Sequence, residues 1–226
     1  RGGAPETPLE IQKEWLCSQR VEKHILFLCS GLKELSAGWV SLDASRPWMV
    51  FWILHGLSLL GVTYDRGTGR LTPGFPASPT LMKALRDAPS REACIQFLAT
   101  CQNDSGGFGG GQRQLSHIAT TYASVSSLII IGGKDAVDVV DRSSLKVFIE
   151  RLQVQDGEYK GAFRVHVGGE VDIRASYLAM ATSRMMKLDL TAISVSSMVD
   201  YIRSCQTYEG GIGGEPGNEA HGGYSY

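Results

Sequence analysis

A junction of cysteine or leucine followed by glutamine recurs along this chain at nearly constant spacing: Cys101-Gln102, Leu152-Gln153 and Cys205-Gln206. Glycine follows each glutamine four residues later, at Gly106, Gly157 and Gly210, and two copies read CQNDSGGFGG and CQTYEGGIGG. A period of about fifty residues marks a repeat architecture, in which each unit is a supersecondary element stacked on the next. Equivalent positions of successive repeats then present side chains to one shared surface.

Ahead of each glutamine, apolar residues fall at i, i+3, i+4 and i+7. The sets are Cys94, Phe97, Leu98 and Cys101; Leu145, Phe148, Ile149 and Leu152; and Met198, Tyr201, Ile202 and Cys205. Each is the single stripe of an amphipathic helix. Ile25, Leu28, Cys29 and Leu32 carry the same stripe without the Gln-Gly tail. Ser90, Ser143 and Ser194 precede the three full stretches as N-cap candidates.

After each glycine turn comes a helix of mostly apolar or small residues: His117 to Ile131, Asp172 to Leu188, and a third opening near Glu219. Asp43 to Leu60 is the earliest counterpart. Helices with little charge on any face are buried on more than one side. Their alternation with amphipathic helices predicts an outer and an inner ring. The fold expected is all-α, an α/α barrel (toroid) of helical hairpin repeats, forming a single domain over residues 1–226. The count of hairpins predicts that the barrel is incomplete, with its C-terminal hairpins missing. Gly106-Gly107 and Gly109 to Gly111 are expected to make the reversal from outer to inner helix. Residues 61–89 hold Gly67, Gly69, Pro73, Gly74, Pro76, Pro79 and Pro89 without a sustained period, and read as an exposed insertion.

Net charge is −1 over 226 residues, so nothing in the balance suits a polyanion, and nucleic acid is not an expected partner. The most apolar stretch, Trp48 to Val62, is interrupted by His55 and Ser58 and is shorter than the ~20 residues of a membrane span. Five cysteines (Cys17, Cys29, Cys94, Cys101, Cys205) form no CxxC pair, which predicts buried free thiols and a cytoplasmic location. The chain starts at Arg1 and stops at Tyr226 inside an opening helix, and is expected to be a fragment lacking any terminal targeting signal.

Two pairs stand out at the starts of inner helices. Arg174 and Tyr177 are three apart, as are His221 and Tyr224, and each pair lies about twenty residues past its glutamine. Residues three apart share a helix face. A cation beside an aromatic ring, repeated around a barrel, suits an anionic head group on an apolar tail, and inner-helix N-termini would add positive potential. The alternative is that Arg174 pairs with Glu170 or Asp172 and that the tyrosines are core. A second stripe, Trp48, Trp52, His55 and Leu59, either fills the barrel or lines a cavity. His24, His55, His117, His166 and His221 show no short metal-ligand spacing.

LDASRPWMVFWILHGLSLLG from Leu42, CQNDSGGFGGG from Cys101, HVGGEVDIRASY from His166 and CQTYEGGIGGEPGNEAHGGYSY from Cys205 resemble the β subunits of protein farnesyltransferases. The resemblance implies an enzyme, a protein prenyltransferase moving farnesyl from farnesyl diphosphate to the cysteine thiol of C-terminal CaaX sequences. It implies an α subunit as partner in a heterodimer and a zinc ion that activates the thiol. Under it, His221 contacts the diphosphate and Arg174 lies beside the isoprenoid and the peptide carboxylate, the two groups given catalytic roles. Tyr177, Tyr122, Gly223 and Tyr224 line the cavity, while Ser45, Trp48, Trp52 and His117 surround the last CaaX residue.

Trp48 also closes the isoprenoid pocket where geranylgeranyl-transferring relatives have a small residue that leaves room for five more carbons. The indole therefore implies the shorter donor. The zinc ligands of the family (Asp, Cys and His) are expected beyond Tyr226, so this chain alone is expected to be inactive. The family usually lacks an insertion near residues 63–86 and commonly has proline where Thr120 stands. Two rival readings are the β subunit of geranylgeranyltransferase type I and a non-catalytic, truncated α/α-toroid binding module.

Overall fold

In the computed structural model, residues 19–33 and 35–225 are described. The amphipathic stretches form the outer helices: α1 (Gln19–Lys33), α4 (Arg91–Thr100), α7 (Arg142–Leu152) and α9 (Val195–Ser204). The apolar stretches form the inner ones: α2 (Arg46–Leu59), α5 (Ile118–Ile131), α8 (Ile173–Met186) and the short α10 (Gly222–Ser225). A 3-10 helix, Ala37–Ser45, leads into α2, and a one-turn α6 (Lys134–Asp138) precedes α7. α2, α5 and α8 pack side by side in chain order, and α1, α4 and α7 each lie against the inner helix that follows them. This is the predicted toroid of helical hairpins.

The outer stripes are buried as their spacing requires. Leu98, Leu145, Ile149 and Leu152 are fully enclosed, as are Ile25 and Cys29 on α1. The inner helix α5 buries Thr121, Ser124 and Ser127 together with its apolar residues. Ser127 turns its hydroxyl back on the chain itself, donating to the Ala123 carbonyl at 2.7 Å. Thr121 accepts from the Phe108 N–H at 2.9 Å, while the buried Ser124 hydroxyl has no hydrogen-bond partner among the described residues.

Two of the three glutamines, Gln102 and Gln153, tie their repeats to the next. The Gln153 carboxamide donates to the Ser194 carbonyl at 3.0 Å and accepts from the Ser194 N–H at 2.8 Å. Gln102 likewise donates to the Val139 carbonyl at 3.1 Å and accepts from the Asp141 N–H at 2.9 Å. Ser194 and Asp141 are the N-caps of the following outer helices, α9 and α7. Ser90 and Ser194 cap as predicted, but α7 is capped by Asp141 rather than Ser143: its carboxylate accepts from the Ser143 and Ser144 amides at 2.9 and 3.1 Å. A carboxylate two residues upstream reaches two free amides where a serine hydroxyl would reach one.

The glycine alignment also shifts. Gly106 (φ +91°) packs so closely that a Cβ there would meet the Ser144 carbonyl oxygen of α7 at 2.0 Å. The residue with that job in the next repeat is Gly161 (φ +90°), a Cβ on which would meet the Ser197 carbonyl oxygen of α9 at 2.0 Å. Gly157 has nothing within 4 Å. The β-bridges explain this, pairing Gln102 with Phe108, Gln206 with Ile212, but Gln153 with Phe163. The middle turn therefore runs 163 − 153 = 10 residues against 108 − 102 = 6, four residues longer.

Residues 61–89 are not an exposed excursion. β1 (Val62–Tyr64) pairs antiparallel with β2 (Leu71–Pro73), and α3 (Pro79–Asp87) packs on α1. Val62, Leu71, Leu81 and Leu85 join the main core. The Tyr64 hydroxyl donates to the Pro89 carbonyl at 3.0 Å and sits 3.1 Å from the buried Cys94 thiol. Strands of three residues and a nine-residue helix are too short to show a period, although Leu81 and Leu85 stand one turn apart.

Cys29, Cys94, Cys101 and Cys205 are free and buried, as their helical positions predict, while Cys17 lies outside the described residues. Burial pushes the Cys29 and Cys101 thiols up to about 11. Among the described residues no single helix is long and apolar enough to cross a membrane.

Candidate functional site

The inner helices begin at a common structural slot. His117, Asp172 and His221 each donate a backbone N–H to the bridged residue of their turn, Phe108, Phe163 and Ile212, at 3.1, 3.4 and 3.1 Å. Each then caps the helix start with its side chain. His117 Nδ1 accepts from the Ala119 N–H at 3.1 Å, Asp172 Oδ1 from the Arg174 N–H at 2.8 Å, and His221 Nδ1 from the Gly223 N–H at 3.0 Å. An Nδ1 that accepts a backbone amide carries no proton, so the proton of each neutral imidazole is on Nε2, as a donor.

This slot corrects the pairing predicted from spacing. His221 aligns with Asp172 and His117, not with Arg174. Tyr177 aligns with Tyr122, five residues past the cap in each case, and Tyr224 with Ala175 and Thr120, three past the cap. The predicted pairs nevertheless converge, because Arg174 reaches across the repeat boundary to Tyr224.

A cavity of about 800 Å³ opens between the starts of these helices. Ser45, Trp48, Trp52, His117, Arg174, Tyr177, Gly223 and Tyr224 all line it, eight of the ten residues singled out from sequence. Tyr122 lies behind the wall, between Trp48 and Tyr177 at 5.9 Å from each ring. His221 stands exposed at the edge, its ring 5.6 Å from Tyr224. Three inner helices thus contribute one run of aromatic rings, Trp52, Trp48, Tyr122 and Tyr177, each within 6 Å of the next. Trp52 and Tyr177 keep more than half of their surface open, 53% and 59%, as does Leu59 at 70%. The stripe on α2 therefore lines open space and is not core filling.

The polar end is built around Arg174. Its Nε donates to both Asp172 oxygens, at 2.9 and 3.1 Å, and Nη2 completes the fork. Asp172 thereby holds the Arg174 guanidinium charged, pushing its titration further up, and steers it over the Tyr224 ring at 5.3 Å. The two readings open at the sequence level coexist: Arg174 is paired with Asp172 and still lines the cavity. The positive end of α8 is taken up by the Asp172 cap. Burial first, and His166 at 6.0 Å second, hold the His117 imidazole below its ordinary range, so it stays neutral near pH 7. Thr120 directs its hydroxyl to the Phe108 and His117 carbonyls at 2.7 and 3.1 Å. Phe51, which lies within the segment from Leu42 but was given no role there, touches Trp48, His55 and Tyr122. Its only sequence signal was the i+3 step from Trp48.

Residues 20–226 match the family described as the prenyltransferase alpha-alpha toroid domain, and the chain belongs to that family. Among curated relatives, the protein farnesyltransferase subunit beta of Arabidopsis thaliana is 41% identical over 218 residues, covering 96% of this chain and 39% of the relative. The geranylgeranyl transferase type-1 subunit beta of the same plant is 29% identical, covering 91% of this chain and 53% of the relative. The chain thus spans well under half of the first relative and about half of the second. Among solved structures, the Candida albicans protein geranylgeranyltransferase-I complexed with GGPP superposes with a TM-score of 0.68 at 21% identity, over 91% of this chain and 56% of that one. That likeness is one of fold.

Proposed function

We propose that this chain forms the donor-binding part of a protein farnesyltransferase β subunit, working in the cytoplasm as a heterodimer with an α subunit. The observation that carries the reading is the cavity itself, lined both by aromatic rings and by the Arg174–Asp172–Tyr224 group. A prenyl diphosphate has the same division, an apolar chain ending in a multiply charged anion. Identity to farnesyltransferase β subunits above that to a geranylgeranyltransferase type 1 β subunit supports the shorter donor. So does the bulk of Trp48 on the wall.

In the reaction, the acceptor cysteine gives up its thiol proton to solvent and a carbon–sulfur bond forms between its sulfur and the first prenyl carbon. The carbon–oxygen bond to diphosphate breaks, and the diphosphate leaves with the electron pair. Arg174 and the outward Nε2–H of His221 would meet the charge that develops on that leaving group. Tyr177 and Trp48, backed by Tyr122, would hold the chain in line and keep water out. His117, neutral and donating through Nε2, would serve beside Ser45 and Trp52 at the carboxylate end of a CaaX peptide. Among the described residues no three His, Cys, Asp or Glu side chains gather as a metal requires. These residues do not fit the family's zinc.

The test is donor competition on the complete heterodimer with one CaaX peptide. Preference for farnesyl diphosphate is the expected result. Preference for geranylgeranyl diphosphate would favour the type 1 geranylgeranyl enzyme, and binding of either donor without transfer would favour a binding module.

A further inference from the structure

We propose that Phe51 is a positioning residue that sets which prenyl chain length the cavity accepts, by holding the Trp48 indole in place. The inference rests on reading the cavity as a prenyl-donor site. Phe51 lies one helical step from Trp48 on α2 and meets its ring edge-on, with centroids 5.7 Å apart and planes at 75°. It meets Tyr122 of α5 in the same way, at 5.9 Å and 67°. Trp48 and Tyr122 touch each other at 5.9 Å. The three rings therefore close a triangle, of which only Trp48 lines the cavity. Tyr122 and Phe51 are the two corners that back it, from α5 and from α2 itself.

The remaining ring against Trp48 is Trp52, at 5.3 Å, which is itself 53% exposed and backs the indole weakly. Firm support for Trp48 comes from Phe51 and Tyr122. Interiors are close-packed, and a side chain loses its fixed rotamer when a void opens behind it. Removing the Phe51 ring creates such a void behind the indole. Trp48 then swings back, the end of the cavity recedes, and a longer chain fits without any change to a residue that touches the ligand. Phe51 acts on donor choice and leaves the transfer chemistry alone.

The experiment compares wild type, Phe51→Ala, Phe51→Tyr and Trp48→Thr as complete heterodimers, with farnesyl and geranylgeranyl diphosphate competing for one CaaX peptide. Phe51→Ala is expected to raise the geranylgeranyl-to-farnesyl ratio of kcat/KM by about tenfold, the scale on which apolar pockets discriminate chain size. Phe51→Tyr, which restores the ring, should stay within about twofold of wild type, with the peptide KM also within about twofold in every Phe51 variant. A purely structural role would lower both donors together and leave the ratio unmoved. If the Phe51→Ala heterodimer does not assemble, Phe51→Leu keeps apolar bulk without the flat ring, and a ratio raised by about threefold supports the proposal. An unchanged ratio in the assembled Phe51 variant, alongside a raised ratio in Trp48→Thr, overturns the role of Phe51 and leaves the donor-site reading standing. An unchanged ratio in Trp48→Thr as well overturns both.

Discussion

The guanidinium of Arg174 lies 5.3 Å from the centre of the Tyr224 ring, bridging the start of α8 to the start of α10. The planar fork that Asp172 grips is what fixes this placement, and a lysine ammonium has no such fork. Arg174→Lys should keep the fold, because the side chain is 60% exposed. It should lower kcat/KM for the diphosphate donor by about 10- to 100-fold, measured by steady-state kinetics on the complete heterodimer. Activity equal to wild type would remove Arg174 from the site.

A second ion pair acts on stability alone. Arg91, 5% exposed, holds the Asp135 carboxylate at 2.5 and 2.8 Å and drives its titration down to about 2. A depressed carboxyl contributes stability that is complete above its unfolded value, about 3.9, and is lost as pH falls through the folded one. Asp135→Asn should therefore be less stable than wild type at pH 6, and the difference should close between about pH 4 and about pH 2. Urea unfolding of both proteins across that range measures it. A difference that widens on acidification would have the wrong sign.

The buried thiols give a chemical prediction. With titration pushed up to about 11 for Cys29 and Cys101, about one molecule in a thousand carries either thiolate at pH 8. A disulfide-exchange reagent should label Cys29, Cys94, Cys101 and Cys205 only after unfolding, with sites mapped by mass spectrometry. Rapid labelling of any of the four in the native protein would contradict their burial.

Gln153 is 4% exposed, and its carboxamide bonds both the N–H and the carbonyl of Ser194 and also donates to the Gly161 carbonyl at 3.4 Å. Gln153→Leu strands a buried N–H and a buried carbonyl, at a cost of about 2–4 kcal/mol. The more open Gln102 should cost about 1 kcal/mol when changed in the same way. Denaturant melts of the two variants check the order.

Local patterns carried most of the architecture. Stripes such as Leu145, Phe148, Ile149 and Leu152 fix a helix and its buried face within eight residues, and their recurrence announced the toroid. Trp48 was legible in its aromatic stripe, and Arg174 and Tyr177 in their three-residue spacing at the start of an inner helix. What stayed hidden depends on distance or on a shifted count. Gln153 and Ser194 are 41 residues apart, and nothing in either says that they meet. The four-residue lengthening of the middle turn placed Gly157 where Gly161 belongs, and it broke the alignment of Asp172 with the two histidines. Spacing from the glutamine held the clue: 117 − 102 = 15 and 221 − 206 = 15, against 172 − 153 = 19. Phe51 was hidden for another reason, since a residue behind a wall has no pattern of its own.

The glutamine clamps grip main chain and ignore side chains. Gln102 holds a helix that starts with aspartate, through the Val139 carbonyl and the Asp141 N–H, and Gln153 holds one that starts with serine, through the carbonyl and N–H of Ser194. A joint of this kind is indifferent to the residue it fastens. The outer helices are therefore free to drift in sequence while the ring keeps its geometry, and the inner face can be rebuilt for a new ligand without loosening the hoop that carries it.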